Sequence, residues 1–519
     1  MNWAEEIAQK IVKERPNLDV YTVASGVSPS GFVHIGNFRE IVTPYMVAKS
    51  LKQMGKNVRF ILSLDNFDRF RKVPGGIPAE WAQYIGMPYV DIPSPFSKGE
   101  SYGEYFQKRF LNEIKTMGIV PEVIEQCKEY RSGRYADKIK LAMDKRKQVF
   151  DIIDSFRTQD AEEGERDAFY PISIYCDKCD KDDTQILSYD EKTGDIEYSC
   201  ACGHKQTINI SSARNIKLQW KVDWPMRWQA ENVVYETGGM DHSTLNGSHD
   251  VAEKVSREIF GYEPPIYNAY NFIGIKGGGA KMSSSKGNVL TLTDLLQVYD
   301  PNIIKWFYGK YMPMQAFNIS LDNDVVRYYS EFDRWVKKYF DGTIDELNKS
   351  ILNLTDVKED YQEYPNFSYL ATFLPIVNFD EKLLASILKK EGIDTTTQKY
   401  AERLERAKHW VENYGSEYQV NLLKNKNEEF YQTLSSAEKV WVKKTLDIVN
   451  TTYDSVDELQ TALYAVVKTG DEDEATLKAT QKRYFQIVYN LVLGENKGPK
   501  LGIFLMAAPK EALNKLLKF

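Results

Sequence analysis

A chain of 519 residues with 42% hydrophobic and 27% charged side chains has an ordinary globular composition, which excludes disorder or a repeat array as its overall description, and it is long enough for several domains. Its net charge of −7 gives no global attraction to nucleic acid, although a local basic face can sit on an acidic whole. Glu5, Glu6 and Lys10 interrupt any apolar leader and no uncharged run is of membrane-spanning length, so a cytoplasmic protein without a membrane partner is expected.

In chain order, Asp19–Ala24 (DVYTVA) is short, β-branched and aromatic, and reads as a buried strand that stops at Gly26. Asn37–Met54 shows helical spacing through Ile41, Tyr45, Ala48 and Leu51, with Gly55 as a stop and Pro44 as a kink. Asn57–Asp65 is a second strand. Strand, glycine turn, helix and strand make a βαβ unit of α/β class, whose ligand site lies at the carboxyl ends of its parallel strands. Ser25–Asn37 and Asp65 both fall on that edge. Gly26, Gly31 and Gly36 let backbone approach a ligand, and His34 precedes a helix start where an imidazole could donate to a phosphoryl oxygen. On its own, this turn fits a plain strand-to-helix connection better, since neither the Rossmann nor the Walker spacing is met.

An insertion is expected at 118–213. It carries four of the five cysteines, CDKC at Cys176–Cys179 and CAC at Cys200–Cys202, with twenty residues between the pairs. Such pairs can meet on one tetrahedral zinc, and a closed set of four gives the ion a structural role. The second pair is tighter than usual, so His204 could replace Cys200 or Cys202. Lys138, Lys140, Lys145, Arg146 and Lys147 form either a basic binding surface or a solvated helix face.

Strand patterns resume at NVVYETGG, ending on Gly238 and Gly239, and at YNFIGIKGGG, ending on Gly277–Gly279. Next comes GGGAKMSSSKGN, Gly277–Asn288, a glycine-led basic segment suited to a polyphosphate. Beyond about residue 330, helix signals take over. Ser435 with Glu438 and Ser455 with Glu458 fit the capping box, each ahead of an apolar face: Val442, Leu446 and Val449, then Leu459, Leu463 and Val466, the second helix closed by Gly470.

HIGN at His34–Asn37 and KMSSS at Lys281–Ser285 resemble the HIGH and KMSKS signature pair of class I aminoacyl-tRNA synthetases. With GVSPSGFVHIGNFRE, DNFDRFRKVP, QWKVDWPMRW and GGMDHS, the chain resembles class I lysyl-tRNA synthetase over most of residues 15–330. There are two departures: Asn37 stands at the second histidine, removing any cationic role there, and Ser284 stands at the second lysine, so Lys281 or Lys286 must supply the loop's charge.

The resemblance implies a class I split Rossmann catalytic domain with halves at 1–117 and 214–276, the zinc-bearing insertion between them, a KMSKS-type loop and link at 277–330, and an all-α anticodon-binding domain at 331–519. It implies ligation of L-lysine to tRNA(Lys) through a lysyl-adenylate, with ATP and Mg²⁺, by a monomer. His34, Asn37, Lys281, Ser284 and Lys286 would serve the chemistry. Gly36, Gly238, Gly239, Asp241, Met282 and Ser283 would bind ATP, while Gly26, Ser28, Asp65, Trp220, His242 and Tyr270 would bind lysine. Asp65 is the first choice for the carboxylate facing the ε-ammonium and Asp241 the second. The rivals are a class I synthetase for arginine or glutamate, and a catalytically silent tRNA-binding relative.

Overall fold

The computed structural model describes residues 1–159, 161–276, 290–357, 366–390, 392–418, 422–470 and 473–519. They form two compact units, one of Met1–Leu295, Pro301–Ile319 and Gly342–Lys358, the other of Leu296–Asp300, Ser320–Asp341 and Glu359–Phe519.

The first unit opens with helix α1 (Trp3–Glu14), started by a capping box between Asn2 and Glu5 and buried along Trp3, Ala4, Ala8 and Ile11. Strand β1 (Tyr21–Val27), helix α2 (Ile35–Gln53) and strand β2 (Val58–Leu64) follow. The strand–turn–helix–strand expectation holds, and α2 contains Pro44. Strand β3 (Glu122–Glu125) pairs with β2, so the sheet takes in four residues beyond the expected boundary at 118. Between β3 and the next strand of this sheet lie β4 (Ile172–Ile174), β5 (Thr184–Tyr189), β6 (Asp195–Cys200), β7 (Lys205–Asn209) and β8 (Ile216–Leu218). β5, β6 and β7 form an antiparallel sheet, and β4 pairs antiparallel with β8. Tyr135, Met143, Val149, Ile174, Ile196 and Tyr198 are in the core beneath them.

The chain rejoins the main sheet with β9 (Val233–Gly239) and β10 (Ile266–Tyr270). All pairings in this five-stranded sheet are parallel and its order is β10-β9-β1-β2-β3. The chain winds from β1 towards β3, then crosses back to β9 on the other side of β1. That reversal opens a crevice at the carboxyl ends of β1 and β9, where open parallel sheets bind ligands. Strands β11 (Ile273–Ile275) and β12 (Phe317–Ile319) form a short parallel pair.

In the second unit every described regular element from Asp324 onward is helical. Its interior holds Arg403, 1% exposed, bonded to Asp333 at 2.8 Å and Asp300 at 3.1 Å, with Phe367 stacked on Tyr329. The Ser435–Glu438 capping box forms. At the second site, Ser455 accepts from the Glu458 amide while the Glu458 carboxylate takes the Asp454 amide instead. That helix ends at Ala465, and Gly470, at φ +99°, follows in the loop.

Candidate active site

A cavity of about 900 Å³ opens at the carboxyl ends of β1, β2 and β9, and Gly26, Ser28, His34, Asn37, Asp65, Trp220, Gly238, His242 and Tyr270 all line it. Gly36, Gly239 and Asp241 stand beside it. Gly36 lies behind the histidine, since a Cβ there would come within 2.9 Å of the His34 ring. Gly238 has a similar constraint, because an added Cβ would fall on the Tyr267 hydroxyl. Asp241 is exposed. Lys281, Met282, Ser283, Ser284 and Lys286 lie in 277–289, outside the described residues.

His34 is the N-cap of α2, and its Nδ1 accepts from the Asn37 amide at 3.2 Å. An accepting Nδ1 puts the proton of a neutral ring on Nε2, the nitrogen left to act as donor. The helix start is held by neighbouring chain, with the Ile35 amide donating to Leu290 O at 2.9 Å and the Tyr308 hydroxyl donating to Ile35 O at 2.8 Å. One turn on, Arg39 is 1% exposed and donates to the carbonyls of Asn271 (2.9 Å), Met312 (2.7 Å) and Gln315 (3.1 Å). A guanidinium bonded to neutral carbonyls keeps its charge at a desolvation cost, and burial draws Arg39 down to about 10.

Two kinds of carboxylate face the cavity. On the β2 side, Asp65 accepts from Arg227 at 2.5 Å, and Arg227 also grips Asp223 and donates to Ser63 Oγ at 2.9 Å. Lys217 lies 3.1 Å from Asp223 and 2.8 Å from Asp68. Burial alone would raise Asp223, yet Arg227 and Lys217 hold it down to about 2. Each acid here has a cation.

On the other side stand Glu40 of α2 and Glu236 of β9, neither with a cation in ion-pair range among the described residues. Glu40 lies beside the Tyr270 hydroxyl. Glu236 accepts from Trp224 Nε1 at 2.9 Å and from Trp228 Nε1. Burial pushes Glu236 up to about 7 and Glu40 well above the usual carboxylate range, each raised further by neighbouring acids. Trp220 stacks on Trp224 with centroids 5.1 Å apart, and its buried Nε1 has no hydrogen-bond partner. His242 lies 6.0 Å from both rings, and desolvation lowers its pKa. A pocket with two uncompensated carboxylates and indole walls suits an ammonium on an apolar stem.

A family model described as tRNA synthetases class I (K) matches residues 1–358. The chain belongs to that family. It is 34% identical to the lysine–tRNA ligase of Thermococcus kodakarensis, with 100% of this chain and 99% of the relative covered. The corresponding ligase of Treponema pallidum is 32% identical over 100% and 98%, and that of Borreliella burgdorferi is 33% identical over 97% and 96%.

This synthetase also carries a candidate metal centre in its insertion. The sulfur atoms of Cys176, Cys179, Cys200 and Cys202 all lie within 4.8 Å of one another, Cys176 to Cys202 at 3.8 Å and Cys179 to Cys200 at 3.6 Å. A zinc–sulfur bond of about 2.3 Å gives a tetrahedron with edges of about 3.8 Å, so the four thiols fit one ion. The Lys178 amide points at Cys176 Sγ from 3.4 Å, as a thiolate would require. His204 Nε2 is engaged by Gln206 at 3.0 Å.

Sequence reasoning passed over Glu40, Glu236, Trp224, Arg227 and Arg39. Some signal was present. Glu40 is one turn from Gly36 and Asn37, hence on the same helix face, and Trp220, Trp224 and Trp228 recur every fourth residue.

Proposed function

We propose that the protein ligates L-lysine to tRNA(Lys) through a lysyl-adenylate. The observation that carries this reading is the pair of uncompensated carboxylates, Glu40 and Glu236, set among indoles on the same sheet edge as the His34 turn. Glu40 receives the ε-ammonium, with Glu236 behind it. Trp220 and Tyr270 flank the methylenes, while Gly26, Ser28 and His242 orient the α-amino end. Asp65, already matched by Arg227, shapes the wall rather than binding the ammonium. A glutamate side chain would meet repulsion in this pocket, which argues against that rival.

In the first step a lysine carboxylate oxygen bonds the α-phosphorus of ATP as the bond to pyrophosphate breaks. In the second, a ribose hydroxyl at the tRNA 3′ end attacks the lysyl carbonyl and AMP leaves. The protein's part is to position reactants and balance charge. His34 Nε2–H donates to phosphoryl oxygens, Asn37 supplies a neutral donor, and Gly36, Gly238 and Gly239 bring backbone against the nucleotide, with Asp241 towards its ribose. Lys281 or Lys286, with Met282, Ser283 and Ser284, completes the phosphate side. Mg²⁺ enters with ATP, whose phosphates are its natural ligands.

The five-stranded sheet, whose first half runs past 117 to take in β3 and whose second half lies in 214–276, is read as a split Rossmann domain, with 277–330 as loop and link and 331–519 as the anticodon-binding end. Zn²⁺ on the four cysteines holds the insertion at 118–213 together, and a reduced, metal-bound cluster suits a cytoplasmic protein. The protein is read as a monomer. The test is pyrophosphate exchange into ATP with each of the twenty amino acids, with and without tRNA(Lys). Exchange with lysine is expected, whereas exchange with arginine or glutamate instead, or silence throughout in the presence of tRNA, would overturn the reading.

A further inference from the structure

Among the described residues, Arg69, Arg71, Lys72 and Arg227 are the lysine and arginine side chains lining the cavity. Two are used internally: Arg227 by Asp65 and Asp223, and Arg69 by Asp182 at 3.3 Å. Arg71 and Lys72 are exposed at the mouth and make no ion pair or side-chain hydrogen bond among the described residues. Their backbone is nevertheless fixed. Phe67 and Phe70 are each 1% exposed, the Phe70 amide donates to Met87 O at 2.7 Å, and the Phe70 carbonyl accepts from the Gly86 amide at 3.0 Å. A buried aromatic anchor therefore holds two unmatched cations at the rim.

The site's anions divide by position. The triphosphate belongs with the His34 turn, in the crevice between β1 and β9, whereas Arg71 and Lys72 follow β2 on the far side of β1. The lysine stem points its ammonium at Glu40. One polyanion remains, the single-stranded 3′ end of the tRNA, which has to enter this mouth to bring its terminal ribose to the adenylate. We propose that Arg71 and Lys72 bind the phosphates of the tRNA acceptor end and guide it into the cavity, an inference that rests on the ligase reading above. Such contacts position a strand without reading its bases.

The test compares wild type with R71A/K72A for binding of a tRNA(Lys) transcript and of the same transcript lacking its 3′-terminal CCA. Wild type should lose affinity on truncation. The double variant should bind the intact transcript at least about tenfold more weakly, lose little more on truncation, and show a salt slope smaller by about 0.7 per cation removed. The charge-conserving R71K/K72R should restore binding, and calorimetric affinities for ATP and L-lysine should be unchanged in all three proteins. Equal truncation losses in wild type and double variant, wild-type transcript affinity in the double variant, or weakened ATP or lysine binding would each overturn the proposal. A wild type that exchanges no pyrophosphate with lysine, yet shows this cation-dependent truncation effect, would break the ligase reading and leave the acceptor-end site standing.

Discussion

The two acidic walls of the cavity are built to opposite rules. On the β2 side, Asp65, Asp68 and Asp223 are each matched by Arg227 or Lys217. On the α2 and β9 side, Glu40 lies beside a phenol and Glu236 is held by two indoles, all neutral groups. A matched buried charge adds little net attraction for a ligand and mainly fixes geometry, while an unmatched one is destabilising until its partner arrives. On the proposed reading, the paired wall is part of the fold and the unpaired wall is where binding free energy is available. Proximity to the cavity alone does not make a carboxylate a ligand group.

The comparison can be broken most forcefully at Arg227. R227M removes the cation from Asp65 and one of the two cations from Asp223, which is 0% exposed, and should destabilise the protein by about 3–5 kcal/mol, read as a lower denaturant midpoint. D65N, which leaves Arg227 on Asp223, should lose far less. E40Q should reverse the pattern, reducing lysine affinity by about 2–5 kcal/mol in calorimetry with no loss of stability. A destabilised E40Q with normal lysine affinity would mean that the two walls had been assigned the wrong way round.

Much of this site was legible in the sequence because local rules fix it. The strand, the glycine turn and a histidine at the cap position are short-range features, and His34 sits where they put it. Cysteine spacing likewise fixes which thiols can meet, and all four do. What local pattern does not contain is the partner of a charge. Its place at the end of a strand marks Asp65 as a candidate for the ammonium, and the arginine paired with it is 162 positions away on a helix. Nothing in the helical spacing of Asn37–Met54 marks Glu40, and its exposure to a cavity depends on where β9 and β10 come to rest. Residues whose role depends on long-range pairing were the ones missed.

The smallest effect, and the sharpest test of the contrast, is the pH dependence at Glu236. Burial raises this carboxyl from about 4.5 to about 7 in the fold, so the folded chain binds its proton more tightly than the unfolded chain does. Its contribution to stability is full below pH 4.5 and is lost as pH rises through 7. The glutamine of E236Q still accepts from both indoles but cannot ionise. The melting temperature of E236Q relative to wild type should therefore climb between pH 5 and pH 8. Lysine works against this trend, since its ammonium favours the ionised carboxylate. The stabilisation of wild type by saturating lysine should grow over the same interval, by at most about tenfold in affinity per pH unit below 7, and should be nearly flat in E236Q. A wild type and an E236Q with parallel profiles would mean that Glu236 gains a cation in solution and belongs with the paired wall.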